Sequence, residues 1–178
     1  SRLRGVQIEA LIEQFAGGFD HDPADHMLAL MMLCHGTRVG ETRQARWSHF
    51  AIADGGEWFL PAENTKTRCE HRLPLTGQVV GLLKRYREWQ TAKGYQGTYL
   101  FPSKGGRPMT EGRACAGFTR LGQGEWTSHD LRKLARTAGT DPGGDYLIGE
   151  RLANPPLTPN VQNYIHPHAE RPKRGALE

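Results

Sequence analysis

At 178 residues, 37% hydrophobic and 24% charged, the chain is long enough to bury one good core and short for two. Its longest apolar run, MLALMMLC at 27–34, is too short to cross a bilayer, and no signal-peptide pattern opens the sequence. Three cysteines, Cys34, Cys69 and Cys115, are odd in number and lack any C-x-x-C pairing, which argues against a disulfide framework or zinc site and for a reducing cytoplasm. A net charge of +4 with a pI near 9.1 is a mild pointer to an anionic partner.

Taken in chain order, VQIEALIEQFA (6–16) and ADHMLALMMLCHG (24–36) predict two helices, the second apolar nearly all round and therefore central. A short helix is expected from Val39 to Arg46. FAIADGGEWFLP (50–61) places Asp54-Gly55-Gly56 between two β-prone runs, a hairpin signal, and HRLPL (71–75) supplies a third strand. From Thr76, Val79, Leu82, Leu83 and Tyr86 fall in helical register, with Gly94 as the stop. Two more helices follow, in 108–121 and from 127, then one at 144–153. NPPLTP (154–159) breaks the chain before NVQNYIHPH, and about 165–178 reads as a mobile tail. The predicted class is mainly α with a small three-stranded antiparallel sheet, in one domain over 1–178.

The helix beginning TSHDLRKLART (127–137) has two contrasting faces. His129, Arg132, Lys133 and Arg136 share one stripe, and Leu131, Leu134, Ala135 and Ala138 share the opposite one. Lys104 to Arg136 holds seven basic residues (Lys104, Arg107, Arg113, Arg120, Arg132, Lys133, Arg136) against three acids (Glu111, Glu125, Asp130), which suggests a polyanion as partner. Thr127 or Ser128 suits an N-cap, and Thr127 with Asp130 has capping-box spacing. His129 would then lie in the first turn, where free N–H groups and the helix dipole favour a phosphate. Arg132, one turn on, could fork two N–H groups onto the same phosphate. Upstream, Arg38 and Glu41 follow the apolar helix, Lys66 sits in a turn between strands, and Tyr164 comes late in a loop-rich segment. Taken singly, each has an ordinary structural reading: a solvated helix face, a helix ion pair, a turn lysine, a packed tyrosine.

Their order along the chain resembles one family. HGTRVGETRQARWSHF (35–50) is similar to the first arginine box of the tyrosine recombinases, or phage integrases. TKTRCEHRLPLT resembles their lysine-bearing β-turn, and FPSKGGRPMT, SHDLRKLART and NVQNYIHP follow in the family's order. The resemblance implies that family's catalytic-domain fold. It also implies Tyr164 as the nucleophile on a DNA phosphodiester, Arg38 and Arg132 as donors to the phosphorane, Lys66 as the acid, His129 as the base and Glu41 as a brace. Lys133, Arg136, Arg107, Arg68 and His71 would contact DNA. Charge develops on phosphate oxygens, so each fixed guanidinium is worth roughly 3 kcal/mol on the scale of other oxyanion donors. The phosphotyrosine link conserves bond energy, so no metal and no cofactor is implied. His26, His35, His49 and His71 lack ligand spacing, and His166 with His168 is only a loop pair.

The sequence departs from the family's pattern where a second histidine, or a tryptophan, is usual nine residues before the tyrosine. Pro155 stands there, and proline cannot donate. Either Asn154 substitutes or the enzyme is weakened. The resemblance further implies an N-terminal DNA-clamping domain, which nothing before Ser1 represents, so the chain reads as the catalytic domain alone. The implied partners are double-stranded DNA and other copies of the chain in a tetrameric synapse, in the bacterial cytoplasm at the nucleoid, with no membrane. Two alternatives stand beside recombination: type IB topoisomerase-like relaxation, and a catalytically impaired DNA-binding relic.

Overall fold

Pro23–His35 forms helix α2, the element on which every other α-helix among the described residues packs. In the computed structural model, which describes residues 8–53 and 55–140, α1 (Ile8–Gly18), α3 (Val39–Arg43), α4 (Gly77–Ala92), α5 (Glu111–Gly122) and α6 (Ser128–Thr140) all contact it. The reason is compositional. Met27 through Leu33 are all buried, so α2 has no polar face to give to water. Pro23 opens the helix, where a missing N–H costs nothing, and Gly36 closes it in the left-handed conformation, φ 67° and ψ 22°.

The sheet is the predicted one, with β1 (Phe50–Ala51), β2 (Glu57–Leu60) and β3 (His71–Pro74) in that order, all antiparallel. Period-2 alternation sends Trp58 and Leu60 into the core, while Phe59 on the other face is covered by the Arg72 guanidinium, 4.7 Å from its ring centroid. Gly56 at φ 77° takes the chain out of the hairpin turn. There a Cβ would come within 2.9 Å of Leu75 Cβ.

Threonine caps set three helix starts, the one at α6 being that expected from the sequence. Thr76 accepts from Val79 N–H and Thr110 from Arg113 N–H. At α6, Thr127 Oγ1 accepts from Asp130 N–H at 3.3 Å, and the Asp130 carboxylate accepts from Thr127 N–H at 3.1 Å. The apolar stripe of α6 is buried through Leu131, Leu134 and Ala135.

Two expectations need correction. The third helix ends at Arg43, short of Arg46, because the next residues pair with a distant segment: Leu100 N–H donates to Ala45 O, and Trp47 N–H to Thr98 O. Long-range backbone bonds there outcompete local helix propensity. The basic stretch of 104–136 is also less available than its sequence implies. Arg113 and Arg120 both bind Asp25, a carboxylate 1% exposed in the first turn of α2, at 3.0 and 2.5 Å. The helix expected at 144–153 and the tail of 165–178 lie outside the described residues.

Candidate active site

Three separate stretches of chain converge on one open cleft of about 590 Å³. The first contributes Arg38 and Glu41 from the start of α3, the second Lys66 and Arg68 from the β2–β3 connection, and the third His129 and Arg132 from the first turns of α6.

Each side chain is placed by an identifiable local device. Arg38 is the N-cap residue of α3, and its N–H donates to Glu41 Oε1 at 2.9 Å. Glu41 is itself buried, so its carboxylate fixes the backbone that carries Arg38. Thr42 ties the same turn down, donating to Arg38 O at 2.8 Å and sharing a hydrogen bond with Thr37 at 2.7 Å.

The lysine turn is pinned by buried Thr65, whose hydroxyl lies 3.1 Å from Ala62 O and 2.8 Å from Cys69 O. Between these anchors Lys66 and Thr67 form the turn, and Arg68 completes it at φ 61°. A non-glycine residue in that region is uncommon and marks a turn held in shape by its surroundings. Lys66 is exposed and lines the cleft.

On α6, Arg132 is half-buried and its Nε donates to Gly36 O at 3.0 Å. Burial depresses its pKa below the ordinary guanidinium value, and the charges of Arg38 and Arg136 push the same way, with Glu41 opposing. A cluster of cations that repel one another is a site prepared for an anion. His129 is exposed at the second position of α6, in the helix's first turn.

Of the residues singled out in the sequence, Arg38, Glu41, Lys66, Arg68, His129 and Arg132 therefore share one cleft. Lys133, Arg136, Arg107 and His71 are exposed but do not line it. Tyr164, Asn154 and Pro155 lie outside the described residues. Sequence reasoning missed Glu63, Asn64 and Glu111, which add two carboxylates and an amide to the rim. The position of Glu111 directly after a threonine cap was the available signal for a helix-start residue, though nothing in it pointed to the cleft.

Two other histidines are held locally. His26 and His35 bond the carbonyls four residues earlier, Asp22 and Met31, at 2.7 and 2.9 Å. No group of three His, Cys, Asp or Glu residues suited to a metal occurs among the described residues, nor is any helix there long and apolar enough to cross a membrane.

The fold is similar to that of lambda integrase, solved as a dimer bound to a COC′ core site, with a TM-score of 0.59 and 19% identity over 85% of this chain and 56% of that one. It is similar too to the XerH site-specific recombinase in a pre-cleavage complex with difH substrate, with a TM-score of 0.58 and 16% identity over 79% of this chain and 44% of that one. The chain thus spans about half the length of these two proteins. Against the lambda integrase catalytic core alone the coverage is 79% of this chain and 88% of that one, with a TM-score of 0.54 and 18% identity. No curated protein matches the chain in sequence. At these identities the structural likeness speaks for the fold. Sequence membership comes from the model of the phage integrase family, which matches residues 1–146. With its boxes in order and its fold that of a tyrosine recombinase catalytic domain, the chain belongs to the phage integrase family.

Proposed function

We infer that the chain is the catalytic domain of a site-specific DNA recombinase, cutting and rejoining DNA strands through a 3′-phosphotyrosyl intermediate. The observation that carries this reading is the convergence of Arg38, Lys66, His129 and Arg132 on one cleft from three distant stretches of a phage integrase family chain. Such a cleft suits a phosphodiester approaching pentacoordination. Arg38 and Arg132 face the non-bridging oxygens, where negative charge accumulates. Tyr164 forms the new O–P bond, and its phenolic proton passes to His129. The bond from phosphorus to the 5′ oxygen breaks, and Lys66 supplies that oxygen with a proton. Rejoining reverses these steps with a 5′ hydroxyl from another strand. Double-stranded DNA is the partner, and synapsis requires further copies of the chain.

Incubation with a duplex nicked near a cleavage site tests the reading. The expected product is a protein–DNA adduct stable to denaturation, formed far more slowly by Arg38→Ala and Arg132→Ala. DNA binding with no adduct from the parent chain would make the protein a binding relic, consistent with Pro155 at the position where the family usually carries a donor. Relaxation of supercoils without strand exchange would make it a topoisomerase.

A further inference from the structure

The hydrogen bond from Arg132 Nε to Gly36 O links residues 96 positions apart and joins the end of α2 to the first turns of α6. A guanidinium carries five N–H donors in one plane. Committing Nε–H to a fixed carbonyl sets the orientation of that plane and leaves the four N–H groups of Nη1 and Nη2 for the cleft, an end-on fork that matches two phosphate oxygens. The acceptor is itself held rigidly. Gly36 closes α2 in the left-handed region, its N–H bonded to Met32 O at 2.8 Å. This conformation is one that L side chains adopt reluctantly. The bare Cα also lets α6 approach: a Cβ on Gly36 would stand 3.3 Å from Arg136 Cγ and 4.0 Å from Ala135 Cβ. One glycine therefore turns the chain toward Arg38 and presents the carbonyl that aims Arg132.

We propose that Gly36 is a positioning residue for strand cleavage, acting through the orientation of Arg132. The proposal rests on the reading of Arg132 as a phosphate donor. It is tested by a double-mutant cycle on the full chain, with single-turnover cleavage of a nicked duplex and duplex affinity both measured. Gly36→Ala is expected to slow cleavage roughly ten- to a hundredfold, the scale of a misplacement near 1 Å. Affinity should change less than about threefold, because the scissile phosphate is one contact among many. In an Arg132→Ala background the same change should cost less than about threefold further, since its target is gone. A second variant replaces Thr37 by its α-hydroxy acid, which turns the Gly36 carbonyl into the weaker acceptor of an ester without adding an atom. It should show a smaller loss with the same coupling, and it decides alone if Gly36→Ala does not fold. Losses that multiply in the double variants, or an ester variant cleaving at the parental rate, would overturn the assignment of Gly36 alone. Parental cleavage by Arg132→Ala would instead remove the phosphate reading of the cleft, and this assignment with it.

Discussion

Asp25 offers a quantitative test of the packing. Its side chain is 2% exposed, while those of its partners Arg113 and Arg120 are 44% and 56% exposed. The two ends of this clamp therefore differ in what their loss leaves behind. Removing the acid frees two guanidiniums that swing into water, so Asp25→Asn should cost only about 1 kcal/mol, near the net worth of one ordinary hydrogen bond. Removing one arginine breaks one charge-assisted bond whose donor is half solvated, about 1.5 kcal/mol at the low end of that class. Removing both strands a carboxylate in the interior, over which Gly117 packs so closely that a Cβ there would lie 2.7 Å from Oδ1. For that unpaired charge we expect about 3–5 kcal/mol. The triple change Arg113→Ala, Arg120→Ala, Asp25→Asn should recover much of the loss. Urea unfolding midpoints at constant slope give each value. A double arginine variant within about 1 kcal/mol of the parent, or a triple variant no better than the double, would show that Asp25 rehydrates and that the clamp does not hold α5 against α2.

Lys66→Ala should cleave ordinary DNA about 10²- to 10⁴-fold more slowly than the parent, and a substrate with sulfur at the bridging 5′ position nearly as fast, since that leaving group needs no proton; equal defects on both would assign the proton elsewhere. Glu63 and Glu111 add carboxylates to the cleft, so, if DNA phosphate binds there, Glu63→Gln with Glu111→Gln should raise duplex affinity about two- to fivefold at low salt and less at high salt. Unchanged affinity in a salt titration would place bound DNA away from that rim. Burial, then the charge of Asp25 and a hydrogen bond with it, hold the Asp22 carboxyl above its ordinary pKa of 3.8. The folded state thus keeps this proton when the unfolded chain has lost it, so Asp22's cost to folding builds up as the pH rises from 3.8 to its folded pKa and is complete above it. Asp22→Asn should accordingly raise Tm at pH 7, with the gain vanishing below pH 3.8; a gain independent of pH would refute the cause given.

How far the molecule was legible in its sequence depended on the range of the interactions involved. Elements governed by local chemistry read correctly: the nearly all-apolar α2, the Gly-Gly hairpin and the capping box of α6. The six residues gathered in the cleft were legible as well, through the order of their motifs. What could not be read was how distant residues use one another. Nothing in TRQARW announces that Ala45 and Trp47 will bond the 98–100 segment and cut α3 short. Asp25 looks like a routine acid in a helix's first turn, yet it takes up two arginines, 88 and 95 positions away, that a charge count assigns to DNA. The grip of Gly36 on Arg132 is hidden for the same reason, because a backbone carbonyl leaves no signature in a side-chain pattern.

The decisive question is which atom of the protein becomes joined to DNA. The direct measurement is to trap the chain on a nicked duplex, denature and digest the adduct, and identify the modified peptide by mass spectrometry. The expected result is a nucleotide phosphate on the Tyr164 hydroxyl, and a Tyr164→Phe variant that binds the duplex with parental affinity but yields no adduct. Attachment to any other side chain, or an undiminished adduct from Tyr164→Phe, would contradict it.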